Sequence, residues 1–206
     1  MPHATFYFDL GSPYAYLAAE RLDSVLGGPV DWQPILLGGI FRLSGRSSWS
    51  LRDRARREHG IAEIERRARE YGLPALRWPQ EWPSDYLFAM RAATVAFAAG
   101  RGREFAVRAF RDAFQRGRDL GVVAHVLGAA RQAGLDPDEL LAAAQRPRVK
   151  QQLREATDAA YALGVIGVPT LAVSVPGRGC ELFWGEDRLE DAAARLASGG
   201  APSGTP

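Results

Sequence analysis

The chain has 206 residues, of which 47% are hydrophobic and 24% charged, room for one generous globular domain or a core domain carrying an insertion. Its 26 basic and 24 acidic residues leave a formal charge of +2, so electrostatics give no case for nucleic acid or an anionic membrane as a partner. One cysteine, Cys180, excludes an intrachain disulfide, dithiol exchange and zinc-cluster chemistry, and the lack of an apolar span or a leader pattern predicts a cytoplasmic protein with no membrane segment.

Thr5 to Asp9 reads TFYFD, an aromatic run with a polar end, and predicts a buried strand. Gly11-Ser12-Pro13 follows; Ser is a favoured N-cap and Pro a favoured first helical residue. A helix is therefore expected from Pro13 to about Leu26, stopped by Gly27-Gly28-Pro29, and Val30 to Leu36 reads as a second strand. Gly38-Gly39 and Ser44-Gly45 mark loops, and the mixed charges of Leu51 to Tyr71 read as a solvated helical pair broken at Gly60. Trp78-Pro79 and Trp82-Pro83 punctuate an irregular segment, after which Ser84 is the expected N-cap of a helix to Ala99. Further helices are expected around Val107 to Phe114, over Val122 to Ala133, and from Asp136-Pro137. Val149, Leu153, Ala156, Ala160 and Leu163 form a helical stripe that Gly164 caps. The tail then turns β: Thr170 to Val175, a turn over Pro176 to Gly179, and Cys180 to Trp184 make a hairpin. Gly185-Glu186-Asp187 leads into a last helix over Arg188 to Ala197, and the Gly/Ser/Pro-rich residues 199–206 are expected to be disordered.

This order is α/β, β-α-β … α-β-β-α, a thioredoxin-like fold with a large all-helical insertion: residues 1–36 and 148–198 form the thioredoxin-like domain and residues 37–147 the insertion. Three segments carry a more specific resemblance. They are Phe6-Tyr7-Phe8-Asp9-Leu10-Gly11-Ser12-Pro13-Tyr14-Ala15-Tyr16-Leu17, then Gly167-Val168-Pro169-Thr170, then Phe183-Trp184-Gly185-Glu186-Asp187-Arg188-Leu189. Leu37-Gly38-Gly39-Ile40 with Ser44-Gly45 adds a fourth. In this order, over about residues 4 to 197, they resemble the 2-hydroxychromene-2-carboxylate isomerases and kappa-class glutathione transferases, the serine-bearing branch of the DsbA-like thioredoxin superfamily.

The resemblance implies glutathione, or a related low-molecular-weight thiol, as cofactor, no metal, a small aromatic substrate and a homodimer. Ser12-Pro13-Tyr14-Ala15 stands where redox relatives carry Cys-x-x-Cys, so both sulfur positions are gone. Ser12 inherits the hydrogen bond to the glutathione sulfur, with Pro13 and Tyr14 beside it. Val168, before the superfamily's cis proline Pro169, inherits backbone pairing with the tripeptide, and Glu186 and Asp187 inherit its γ-glutamyl end. Two positions depart from the pattern: Arg46 where the group often has Asn, and Glu186 where it usually has a small polar residue or an amide.

The chemistry is energetically reasonable. Making a thiolate dominant near neutral pH needs a shift of roughly two units from about 8.5, or about 2.7 kcal/mol. A helix N-terminus contributes about 0.3–1 kcal/mol, up to about 2, and a hydrogen bond to a charged acceptor roughly 1.5–3. Ser12 then acts as a donor, and the attack belongs to the cofactor's sulfur. Plainer readings stand beside these: Ser12 and Asp187 as helix caps, Val168-Pro169 as a turn, Cys180 as an inert strand residue, and Trp78, Trp82 and Trp184 as core rather than pocket wall. Three functions stay open: a glutathione-dependent isomerase of 2-hydroxychromene-2-carboxylate-type intermediates of aromatic degradation, a kappa-like transferase, and a non-enzymatic thiol-binding module.

Overall fold

Aromatic alternation along the first strand decides which face of the sheet is filled. In β1 (His3–Phe8), Ala4, Phe6 and Phe8 are fully buried, while Tyr7 turns to the other side. The computed structural model describes residues 2–51 and 53–200. α1 (Pro13–Leu26) crosses over to β2 (Asp31–Pro34), which lies parallel to β1 with Thr5 opposite Asp31. β3 (Thr170–Val175) pairs antiparallel on the other edge of β1 and forms a hairpin with β4 (Gly179–Trp184), giving the order β2-β1-β3-β4. This is the thioredoxin-like sheet that the element order implies.

Between β2 and β3 run α2 (Leu37–Ser44), a short 3₁₀ turn (Trp49–Leu51), α3 (Arg54–Glu70), α4 (Leu87–Ala98), α5 (Gly102–Arg116), α6 (Val123–Gln132), α7 (Pro137–Ala144) and α8 (Pro147–Leu163). A 3₁₀ turn (Glu186–Arg188) then leads into α9 (Leu189–Gly200). One face of the sheet joins α1, α9 and the intervening helices in a continuous core: Phe8 lies 5.9 Å from the rings of Phe97 and Phe110, and Trp32 sits edge-on to Phe6 at 4.8 Å. The other face carries a smaller cluster, Ile35, Ile40, Ala160, Val165 and Val168, with Tyr7 and Leu182 packed against it. Both faces are thus covered, as a sheet with apolar residues on both sides requires.

Four expectations change. Leu37 to Ser44 is helix, not loop, despite two glycines that disfavour helix. The Asp9 carboxylate accepts the Leu37 N–H, Ile40 is fully buried, and a Cβ at Gly39 would stand 2.9 Å from Thr157, so tertiary packing selects helix and glycine together. The charged segment is one helix through Gly60, because the Trp49 ring lies where a Cβ at residue 60 would be, which makes this glycine a close-approach site and not a break. Ser84 does not cap α4: its hydroxyl donates to Asp119 at 2.5 Å, the helix starts at Leu87, and Asp85 Oδ1 accepts the Leu87 N–H. The last helix extends through Gly199 and Gly200, which were expected in the tail; residues 201–206 lie outside the described residues. Leu163, the last member of the α8 stripe, is exposed. Among the described residues, no helix is long and apolar enough to cross a membrane.

Candidate functional site

The site is assembled where β1 ends. Asp9 is buried, and its carboxylate is divided between two backbone donors at 2.8 Å each: Gly11 N–H to Oδ1 and Leu37 N–H to Oδ2. It ties the loop before α1 to the first turn of α2. Burial pushes its pKa from the ordinary 3.8 to about 6, with the two N–H donors pulling the other way. Gly11 permits the loop to pass flat beneath Tyr86, whose ring occupies the space of any Cβ there. Burial also pushes the Tyr86 hydroxyl up to about 12, and its oxygen has no hydrogen-bond partner among the described residues.

Ser12 follows at the head of α1, 5% exposed and in an extended conformation (φ −94°, ψ 114°). Its Oγ accepts the Ala15 N–H at 3.2 Å, and Tyr16 N–H closes on the Ser12 carbonyl at 3.1 Å. Pro13 has no N–H, so within the first turn Tyr14 N–H is the donor that these caps leave over. The serine oxygen accepts from the backbone while its own proton stays free to donate into the space in front of the helix. The cap and the donor roles are therefore compatible without any rearrangement.

That space is a cavity of about 1220 Å³. Ser12, Pro13, Tyr14, Arg46, Val168, Pro169, Glu186 and Asp187, which the sequence nominates from four separate segments, all line it. The Val168–Pro169 bond is cis, as is Trp82–Pro83. Arg46 donates to the Ile166 carbonyl at 3.1 Å, and its guanidinium lies 5.3 Å from the Trp184 ring centre, above the segment leading to Pro169. Trp184 approaches Gly167 so closely that a Cβ there would lie 2.6 Å from the indole nitrogen.

Glu186 and Asp187 differ sharply. Glu186 is 1% exposed, and its carboxylate takes a hydrogen bond from Arg67 and another from the Tyr71 hydroxyl at 2.6 Å, with Arg21 at 3.7 Å. Burial, then the Glu186 hydrogen bond, holds the Tyr71 hydroxyl up at about 12. Asp187 is 56% exposed beside the same cavity, 3.5 Å from Arg67. Burial foremost also raises the Tyr14 hydroxyl above its usual range, so near neutral pH it is a proton donor.

Several wall residues have no clear signal in the sequence. Asp9 was visible only as a polar end to an apolar strand. Arg67 reads as one charge among many in a solvated helix, and Trp49, from the 3₁₀ turn, and His59, from α3, also enter the wall. Trp82 and Trp184 line the cavity, while Trp78 packs behind, 4.7 Å from the Trp82 ring, and donates to Glu65. Cys180 lies exposed on β4, opposite Ser174. Among the described residues, no three His, Cys, Asp or Glu side chains converge as a metal-binding group.

Residues 4–197 match the family model of the DSBA-like thioredoxin domain. The chain is 30% identical over 190 residues to 2-hydroxychromene-2-carboxylate isomerase of Sphingobium xenophagum, covering 90% of this chain and 93% of that one. It is 28% identical over 205 residues to glutathione S-transferase kappa 1 of Homo sapiens, covering 89% and 86%. A solved structure of 2-hydroxychromene-2-carboxylate isomerase superposes with a TM-score of 0.80 at 25% identity, over 94% of this chain and 95% of that one.

Proposed function

Because this chain belongs to the DSBA-like thioredoxin family, we propose that it is the serine-bearing kind of member: a glutathione-dependent isomerase acting on 2-hydroxychromene-2-carboxylate-type intermediates. The observation that carries the reading is Ser12, a hydroxyl donor at the head of α1, facing a cavity also lined by Val168, cis-Pro169 and Asp187. The relatives named for this isomerase and for a kappa-class glutathione transferase supply the two activities to be weighed.

The residues present fit the tripeptide. Ser12 Oγ–H and the α1 N-terminus suit a thiolate. The Asp187 carboxylate, exposed to the cavity, suits an ammonium group. Arg46, at the rim beside Trp184, suits a carboxylate. Glu186 is already bonded to Arg67 and Tyr71, which supports a positioning role for it, holding the Asp187 backbone and the Arg67 guanidinium, with Asp187 making the direct contact. At about 1220 Å³ the cavity exceeds the roughly 300–1,000 Å³ of a single small-molecule site, leaving room for a second, aromatic ligand against Trp49 and Trp82.

When bound, glutathione would supply a thiolate able to add reversibly to the substrate's conjugated system. Ser12 lowers the thiol's proton affinity by donating to sulfur. Tyr14, held protonated near neutral pH, is a donor within the same cavity for charge that develops on the substrate's oxygens. Trp49 and Trp82 screen the reaction from water. A homodimer and a cytoplasmic setting are part of the same proposal.

The test is isomerisation of 2-hydroxychromene-2-carboxylate followed by absorbance, with and without glutathione. Turnover that requires the thiol and leaves it unconsumed supports the isomerase. Stoichiometric formation of a stable conjugate, with this substrate or an aryl halide, assigns the chain to transferase chemistry. Unchanged turnover in Ser12→Ala removes the serine's role.

A further inference from the structure

A second cavity of about 570 Å³ lies between α2, α4 and α8. It adjoins the first through Leu36, Gly38 and Leu87, which line both. Its charged lining is one-sided. Arg42 from α2, Arg91 from α4, and Lys150 and Arg154 from α8 face a single carboxylate, Asp158. Glu155, on the same helix, accepts from Gln151 at 2.9 Å.

Many arginines elsewhere stand beside carboxylates, while others, Arg108 and Arg148 among them, make no ion pair among the described residues. Arg21, Arg67, Arg111 and Arg116 each stand within ion-pairing distance of a carboxylate, as do the exposed Arg54 and Arg66 on α3. Arg42, Arg91, Lys150 and Arg154 make no ion pair among the described residues, and Arg91 Nε is buried with no acceptor among them. Like charges gathered in a recess raise a positive potential that the low-dielectric walls focus. α8 adds to it, because its first turn opens at Pro147 in the cavity lining and its N-cap, Arg146, provides no side-chain acceptor. Leu36, Leu87 and Leu153 supply apolar lining beside the charges.

We propose that this cavity binds a small polyanion, a phosphate ester or a polycarboxylate carrying an apolar body, at a site separate from the thiol site. Guanidinium groups match phosphate and carboxylate oxygens in pairs, and Lys150 contributes a point charge. The leucine wall takes the body of the ligand. A recess of this size suits a small molecule and not a macromolecular surface. The inference does not depend on the proposed isomerase activity.

The chain provides its own probe, since Lys150 is its only lysine. Acetylation of Lys150 by an amine-reactive ester, read by mass spectrometry of its peptide, is measured with inorganic pyrophosphate, phenyl phosphate, citrate, and sodium chloride at matched ionic strength. A specific site slows labelling about tenfold when ligand is tenfold above its dissociation constant, and sodium chloride does not. Stronger protection by pyrophosphate and phenyl phosphate than by citrate identifies phosphate chemistry; the reverse order identifies a polycarboxylate. Arg91→Gln and the exposed Arg154→Gln each raise the half-protecting concentration roughly tenfold or more, with the thermal melt confirming that each variant is folded. Equal protection by sodium chloride, or protection unaltered in both folded variants, overturns the proposal.

Discussion

Asp9→Asn separates the electrostatic contribution of the buried carboxyl from everything else in the molecule. In the native protein burial raises the Asp9 pKa from 3.8 to about 6. The folded state therefore holds this proton more tightly than the unfolded chain does. Stability from this group is fully present below pH about 4, falls as pH rises towards 6, and stays low above it. The shift of roughly two units corresponds to about 3 kcal/mol over the whole titration. An amide cannot titrate, and it presents an NH₂ end to one of the two N–H donors of Gly11 and Leu37. Asp9→Asn therefore loses one buried hydrogen bond at every pH, about 1–3 kcal/mol. The difference in unfolding free energy between Asp9→Asn and the native chain should move in favour of the variant by about 2.4 kcal/mol between pH 4 and pH 7. Urea denaturation at half-unit pH steps measures it, and the other carboxylates cancel in the subtraction. A flat difference, or one moving in favour of the native chain, would falsify the assignment of Asp9 as a desolvated carboxyl.

Ser12→Ala removes a cap and a donor together. It should cost about 1 kcal/mol of stability and raise the pKa of bound glutathione by roughly one to two units, followed by thiolate absorbance against pH; an unmoved titration leaves Ser12 as a cap alone. Asp187→Asn should weaken glutathione binding in calorimetry with little change in melting temperature, because Asp187 is half exposed; an unaltered dissociation constant excludes it as the ammonium contact. Glu186→Ala should lose about 3 kcal/mol, the low end for breaking a buried pair since Arg67 is partly exposed, and equilibrium denaturation checks this. Gly60→Val should push the Trp49 ring aside and cost about 1–3 kcal/mol; a neutral effect would show that the ring moves freely.

The fold was legible because its signals are local. The Gly11-Ser12-Pro13 start of α1, the Asp136-Pro137 start of α7 and the Gly164 stop of α8 are written in residue types that set backbone geometry over three or four positions. The alternating aromatic residues of β1 and the Thr170 to Trp184 hairpin are likewise local periodicities. Two of the misread elements, α2 and α3, carry glycines that serve contacts made elsewhere, while the expected Ser84 cap is drawn off by Asp119. Gly39 gives way to Thr157 and Gly60 to Trp49, and no rule about neighbouring residues reveals either.

The same division holds at the site. Ser12, Pro169 and Asp187 stand in motifs, so the amino-acid sequence alone nominated them. What each can do depends on partners far along the chain. Glu186 and Asp187 are adjacent, yet Arg67 and Tyr71 engage the carboxylate of the first and leave that of the second beside the cavity. Asp9 becomes a titrating clamp only because Leu37 N–H meets it from α2. Arg42, Arg91, Lys150 and Arg154 look like ordinary surface charges in order of sequence and become one basic cavity only after α2, α4 and α8 pack. Local propensity chose the elements and named the serine; burial and long-range charge pairing, which depend on where distant segments meet, decided which groups stay free to act.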